Sequence, residues 1–294
     1  MRILLTGATG FLGSALAHHW SRRGHELLLL ARPSSNTHRI ESLLPQTRLA
    51  RIDGIMSVPG LFADFAPDAI VHTACSYGRK GETPVDVLDA NLRFGTALLQ
   101  AALQTQDRQV VFLNTGTVLL PDVSLYALSK TQFSQWGASL ASQLPSALQF
   151  IDIQLQQMYG PGDDRSKFTT HVLETCQNNE ARLALTLGEQ RRDLIHIYDV
   201  VQAYGVILDK HARFTASDAI DVGSGTAVRM RDFVELTKRI TQASTELDFG
   251  AVPYRTKEAM HCVADITRLS ALGWRPTFDL EAGIRQTLNL GTNT

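Results

Sequence analysis

A doubly wound α/β fold with a parallel sheet is what this sequence predicts, on three observations. Apolar runs of strand length alternate with longer amphipathic segments through the first half of the chain. A glycine-rich turn follows the first of those runs without a break. The alternation loosens after Tyr159, at the turn-forming stretch YGPGDDRSKF, so a smaller second lobe is expected. Strands alternating with helices imply βαβ units, and right-handed crossovers then place helices on both faces of the sheet.

The elements follow from residue type and period. Ile3–Thr6 reads as a strand, Phe11–Arg22 as a helix and Glu26–Ala31 as the second strand. Ala69–Ala74 is another strand, placed after Pro67-Asp68, and Val87–Leu103 is one long helix. Val110–Asn114 is a strand, Tyr126–Gln143 a helix and Gln149–Leu155 a strand. Beyond the YGPG turn, Asp221–Gly225 reads as a strand and tight turn. Met230–Ile240, Ile266–Leu272 and Leu280–Leu290 read as helices. The expected division is residues 1–159 and 160–294, with 193–210 returning to the first part.

Composition excludes several classes of function. Apolar residues are 44% of the 294, enough for a sizeable core, and a net charge of -1 with 19% charged residues points to neither nucleic acid nor an anionic membrane. No apolar run is long enough for a transmembrane helix. The strand-like start RILLT lacks the pattern of a secretory signal, so a cytoplasmic setting is expected. Cys75, Cys176 and Cys262 are scattered, with no CxxC, which fits a reducing compartment and predicts no disulfide framework and no metal site.

The first strand runs into TGATGFLG, where Gly7, Gly10 and Gly13 are spaced G-x-x-G-x-x-G. Between a strand and a helix, such glycines permit a tight turn, a close backbone approach to a pyrophosphate and close helix–strand packing. The helix N-terminus then offers free N–H groups to the phosphates. This is a Rossmann dinucleotide site, with Thr9, Phe11 and Leu12 of the same loop in its cofactor contacts. The second strand ends at Ala31-Arg32, where an acid holding a ribose 2′-OH would favour NAD. Arg32 and the hydroxyl of Ser34 instead suit a 2′-phosphate of charge about -1.5 to -2, so NADP(H) is the preferred cofactor, with NAD(H) possible. The other reading of Arg32 is a solvated loop cation. Asp53, with Gly54 beside it, either accepts from the adenine amino group or caps a turn.

Tyr126 and Lys130 form Y-x-x-x-K, four residues apart and therefore on one helix face. An ammonium beside a phenol is expected to lower the tyrosine pKa and let it exchange a proton while hydride moves. Thr115, at the end of a strand, stands where open α/β sheets bind ligands, ready to hold a substrate oxygen beside Tyr126.

With these residues on view, the chain resembles the extended short-chain dehydrogenase/reductases of the NAD-dependent epimerase/dehydratase family. The resemblance is carried by TGATGFLG, DAIVHTAC, DANLRFGT, LNTGTV, YALSK, QMYGPGD, RRDLIHIYDVVQA, DVGSG and LGWRP, in order along nearly the whole chain. It implies a catalytic trio of Thr115, Tyr126 and Lys130, with Lys130 also on the nicotinamide ribose. Asn91 matches the family's helix asparagine near the cofactor, and Ala74 and Cys75 line the cofactor cleft. It further implies substrate contacts from Gln157, Lys167, Phe168, Arg192 and Arg255, in a smaller α/β substrate lobe. The other reading of Lys167 and Phe168 is a surface cation and a core aromatic.

The family's dehydratases place Asp-Glu after the catalytic threonine; Gly116 and Thr117 stand there in this chain, which argues against dehydration. The missing acid after Leu30 argues against retained NAD. An NADPH-dependent reductase of a nucleotide-activated 4-keto-6-deoxy or dideoxy sugar, serving surface polysaccharide or O-antigen synthesis, fits both. Within the family the chain is similar to the CDP-abequose synthase group of 4-ketoreductases. The alternative is a nucleotide-sugar epimerase with bound NAD. Gln154 departs from the arginine common five residues before the YGP tyrosine. His196, Asp193 and Asp199 read as packing and turn-fixing residues. A homodimer paired through helices 87–103 and 126–143 is expected by analogy.

Overall fold

The computed structural model describes residues 1–105 and 108–290. In chain order it contains β1 (Arg2–Thr6), α1 (Phe11–Arg22), β2 (Glu26–Ala31), β3 (Arg48–Arg51), α2 (Val58–Phe65) and β4 (Ala69–His72). There follow α3 (Pro84–Leu88), α4 (Phe94–Thr105), β5 (Val110–Thr115), α5 (Leu125–Gln143) and β6 (Leu148–Leu155). The second half adds β7 (Gln157–Tyr159), α6 (Phe168–Gln177), β8 (Arg182–Leu185), β9 (Arg191–His196), α7 (Ile197–Asp209) and β10 (Ser217–Val222). Last come β11 (Ala227–Arg229), α8 (Met230–Thr241), β12 (Glu246–Phe249), α9 (Thr267–Ala271) and α10 (Leu280–Thr287).

Two compact units result. The first comprises residues 1–155 and 204–220, the second 156–203 and 221–294, of which 291–294 lie outside the described residues. The returning segment is thus 204–220, not 193–210. The reason is strand pairing: β9 is hydrogen-bonded to β7 and β11 and so belongs to the second unit.

In the first unit a seven-stranded sheet has the order β10-β6-β5-β4-β1-β2-β3. The pairings of β1 with β2 and β4, β2 with β3, and β5 with β4 and β6 are parallel, as a doubly wound fold requires. Its inner strands β1, β2, β4, β5 and β6 are largely buried because helices cover both faces, while the edge strands β3 and β10 are partly exposed. Leu4, Leu28, Ile70, Phe112, Phe133 and Phe150 belong to one such core. Register matters most for function. Thr6 pairs with both Leu30 and His72, and His72 with Asn114, so the strands end level. Gly7, Ala31, Thr73 and Thr115 therefore emerge in one row, where open α/β sheets bind ligands.

Two expected elements differ. The long helix 87–103 starts earlier, because Thr83 and Asp86 form a capping box before Pro84. It is also interrupted by a π-helical turn at Asp89–Arg93. That wider turn carries the fully buried Asn91. The strand expected over 69–74 ends at His72, because Thr6 ties down the next two residues: Thr73 Oγ1 donates to the Thr6 carbonyl (2.8 Å) and the Ala74 N–H donates to Thr6 Oγ1 (3.2 Å).

The second unit is built on the three-stranded sheet β11-β9-β7 and the parallel pair β8 and β12. Tyr159, Leu173, Leu194, Phe233 and Ile284 form its core. Asp193, fully buried, accepts from the Ser224 N–H (2.6 Å) and hydroxyl (2.7 Å), and from the N–H groups of Gly225 (3.0 Å) and Ala264 (3.1 Å). Asp199 accepts from the Thr277 N–H and hydroxyl and from the Phe278 N–H. Both carboxylates hold turns. His196 is packed among the rings of Tyr159, Tyr198 and Phe278, and burial pushes its pKa down to about 4, so it is neutral.

Candidate active site

The turn between β1 and α1 is shaped by exclusion. Gly7 has φ +65°, and a Cβ there would lie 2.6 Å from Thr73 Oγ1 and 2.7 Å from the Ala74 nitrogen. A Cβ on Gly13 would lie 2.1 Å from the Gly7 carbonyl oxygen. Strand order reverses at this place, between β1 and β4. Gly10 is the N-cap of α1 and no side chain caps its first turn, which leaves N–H groups for an anion. Thr9, Phe11 and Leu12 lie within the same loop and first turn. A bare backbone cradle at a helix N-terminus fits the pyrophosphate of a dinucleotide.

Arg32 and Ser34 follow β2 and are exposed. Their loop is preformed by Arg51 at the end of β3, whose guanidinium donates to the carbonyls of Arg32 (3.3 Å), Pro33 (2.9 Å) and Ser35 (3.2 Å). The backbone N–H of Arg32 donates to Ser35 Oγ (3.2 Å). Asp53 and Gly54 lie just beyond β3, exposed, with Gly54 at φ +89°. Ala74 and Cys75 follow β4 and are half-buried. Buried Asn91 accepts from the Ser76 N–H (2.7 Å) and donates to the Ser76 carbonyl (2.8 Å) and Ser129 Oγ (3.0 Å). It thereby ties the segment after β4 to α5.

Thr115 ends β5, and Tyr126 and Lys130 sit in the first turns of α5, which Ser124 caps through the Ala127 N–H (3.2 Å). Lys130 is buried. The expected lowering of the Tyr126 pKa is corrected by the structure. Burial of the phenol and the neighbouring Cys75 sulfur raise it above the ordinary tyrosine range, against hydrogen bonds from Thr117 and Tyr77 and the charge of Arg79. Burial also lowers the Lys130 pKa, opposed by Cys75 and Asp152. Desolvation outweighs attraction here, and Tyr126 stands as a neutral phenol with a proton to give.

Five residues around this trio, Tyr77, Arg79, Thr117, Asp152 and Tyr204, were not assigned to the site from the sequence pattern. The Tyr77 ring packs on that of Tyr126, centroids 4.7 Å apart at 34°, with the Arg79 guanidinium 5.5 Å from the Tyr77 centroid. Thr117 hydrogen-bonds Tyr126; its place two residues after Thr115 was the one available clue. The Thr115 hydroxyl is 2.8 Å from that of Tyr204, which the folding of α7 brings in. Gln154, where the family has arginine, donates instead to the buried carboxylate of Asp152, which also accepts from Asn114 at 2.6 Å. These two side chains crowd Gly116: a Cβ there would lie 2.8 Å from Asp152 Oδ1 and 2.9 Å from Gln154 Nε2.

The remaining predicted contacts belong to the second unit. Gln157 opens β7, half-buried. The Lys167 ammonium pairs with Asp163 at 2.9 Å, and Phe168 begins α6 with its ring 6.4 Å from that of Phe233. Arg192 on β9 carries an ion pair to Glu258, and the Glu258 N–H donates to the carbonyl of exposed Arg255 at 3.1 Å. The two arginines are thus linked through Glu258, Arg192 by its carboxylate and the Arg255 carbonyl by its backbone N–H.

The model of the NAD dependent epimerase/dehydratase family matches residues 3–223. The chain belongs to that family. Membership makes a nicotinamide dinucleotide the group that suits the Gly7–Gly13 cradle. Among its relatives, the CDP-abequose synthase of Salmonella typhimurium is 30% identical over 97% of both chains. The dTDP-4-dehydro-6-deoxyglucose reductase of Escherichia coli is 24% identical over 96% of this chain and 95% of its own length. In fold, this epimerase/dehydratase-family chain matches the UDP-glucose 4-epimerase of Thermotoga maritima, solved with UDP-glucose. The TM-score is 0.83 at 21% identity, over 98% of each chain. Among the described residues no helix is long and apolar enough to cross a membrane.

Proposed function

We propose that this protein is an NADPH-dependent reductase of a nucleotide-activated 4-keto-6-deoxy or dideoxy sugar, used in making surface polysaccharide. The observation that carries this reading is the half-buried Tyr126 phenol, its pKa raised by desolvation and its hydroxyl held by Thr117, two residues after the strand-end Thr115. Reduction of a ketone needs a proton donor, and a phenol kept neutral by burial is one. When bound, the reduced cofactor supplies hydride. Tyr126 gives its proton to the C4 oxygen, Thr115 hydrogen-bonds that oxygen, and Lys130 with Asn91 and the segment after β4 shapes the nicotinamide end. Gln157, Lys167, Phe168, Arg192 and Arg255 are assigned to the nucleotide sugar. An acid at Gly116, as a dehydratase carries there, would have to displace the Asp152 and Gln154 side chains. The relatives named as synthase and reductase point the same way.

The test is NADPH oxidation followed by absorbance against CDP-, dTDP-, GDP- and UDP-linked 4-keto sugars. One of them is expected to consume NADPH stoichiometrically. Silence with all four overturns the reading. Epimer formation with tightly held NAD and no net oxidation establishes the alternative, an epimerase.

NADP(H) preference is assigned to Arg32 and Ser34 on the loop that Arg51 braces. Arg32→Ala should weaken NADPH binding by about 10- to 100-fold, the range of a charge-assisted hydrogen bond, and leave NADH binding alone. Titration by cofactor fluorescence decides; equal losses for both cofactors sink the assignment.

A homodimer is proposed through α3 and α5. Leu125, Leu128 and Trp136 share one face of α5, and with Val85 and Leu88 of α3 they are exposed, Trp136 at 54%. Trp136→Glu is expected to convert a dimer to a monomer in light scattering. A wild type that runs as a monomer at micromolar concentration removes the proposal.

A further inference from the structure

Thr115 must present a hydrogen to a carbonyl oxygen if it is to assist reduction, and a hydroxyl can equally well point that hydrogen elsewhere. We infer that Tyr204 is a positioning residue that sets this direction: its phenol donates to Thr115 Oγ1 and leaves the threonine hydrogen free for the substrate oxygen. The inference rests on the proposed reductase reading and deepens it.

Tyr204 is fully buried, and its hydroxyl lies 2.8 Å from Thr115 Oγ1. Among the described residues Thr115 is its one hydrogen-bond partner. Were Thr115 the donor, the phenol hydrogen would be buried with nothing to accept it, an arrangement that native interiors avoid. Were Tyr204 the donor, one hydrogen bond satisfies the phenol, and the partly exposed Thr115 keeps its own hydrogen. A phenol is also the better donor of the two. Tyr126 is engaged separately, by Thr117 and Tyr77, so the two hydroxyls offered to the substrate are held by different partners.

Tyr204→Phe keeps the ring and removes only the donor. It is expected to lower kcat about 5- to 20-fold, the scale of one hydrogen bond, with little change in sugar KM or NADPH affinity. In the Thr115→Val background the second substitution should cost nothing further. Wild-type kcat in Tyr204→Phe, or losses that multiply in the double variant, overturns the inference. A wild type inert toward every ketosugar overturns the reductase reading instead, and two substrate-free measurements then judge this one. Crystal structures should show Thr115 in one χ1 rotamer in the wild type and redistributed in Tyr204→Phe; an unmoved hydroxyl overturns it. Thr115→Val, which strands the buried phenol donor, should lower the urea unfolding midpoint, and an unchanged midpoint counts against the pair. This last measurement also serves if Tyr204→Phe does not fold.

Discussion

Tyr126→Phe is expected to lower kcat by about 100- to 10,000-fold, the usual contribution of a positioned acid or base, and to leave folding and NADPH affinity intact. The aromatic ring is retained, so its packing on Tyr77 persists. What is lost is one oxygen, its links to Thr117 and Tyr77, and the proton it delivers. Because burial raises the phenol pKa, the proton-donating form persists through neutral pH. The activity should therefore show no alkaline limb from this group below the ordinary tyrosine range. Steady-state kinetics across pH, with thermal unfolding as the control, checks both points. A phenylalanine variant at wild-type kcat would remove Tyr126 from the chemistry, and a limb near neutrality would assign it a phenolate instead.

Gly13→Ala should reduce dinucleotide affinity by about 100-fold, since a methyl group must displace backbone at the place where the pyrophosphate is cradled. The new Cβ would stand 2.1 Å from the Gly7 carbonyl oxygen, and no side chain can move aside to relieve that. Gly7 cannot yield easily, because its own φ of +65° and its contact with Thr73 and Ala74 fix the turn from the other side. Gly60→Ala is the matched control. It lies in α2 with nothing within 4 Å of a built Cβ. The same change there should stabilise the protein by about 0.5–1 kcal/mol. Isothermal titration with NADPH and urea unfolding of both variants separate the effects. Wild-type affinity in Gly13→Ala would mean that the turn opens without consequence and is no cofactor cradle.

Much of the candidate site was readable before any coordinates, because it is made of local patterns. Gly7, Gly10 and Gly13 follow a strand and open a helix, and the backbone that such spacing demands is the backbone observed. Tyr126 and Lys130 share a helix face through a four-residue interval that any helix imposes. Thr115 closes a run of apolar residues too short for a helix and ends in level register with its neighbours.

Other features were invisible because they depend on which distant segments meet. The sign of the Tyr126 shift is one. The helix spacing suggested attraction from Lys130, yet desolvation and the neighbouring Cys75 sulfur raise the phenol pKa, and no pattern reports how much water a fold removes. The break in the helix near Asn91 is another, for its cause is a buried amide reaching Ser76 and Ser129, residues 15 and 38 positions away. The return point of the first unit depends on β9 choosing β7 and β11 as neighbours. Chain order alone thus dictated the turn, the strand ends and the spacing of the reactive groups. Packing decided their protonation, their partners and the place of Tyr204, 89 residues from the threonine it touches. The physical reason is range: hydrogen-bond geometry and side-chain period act over a few residues, whereas burial and polarity are set by everything that comes to lie around an atom.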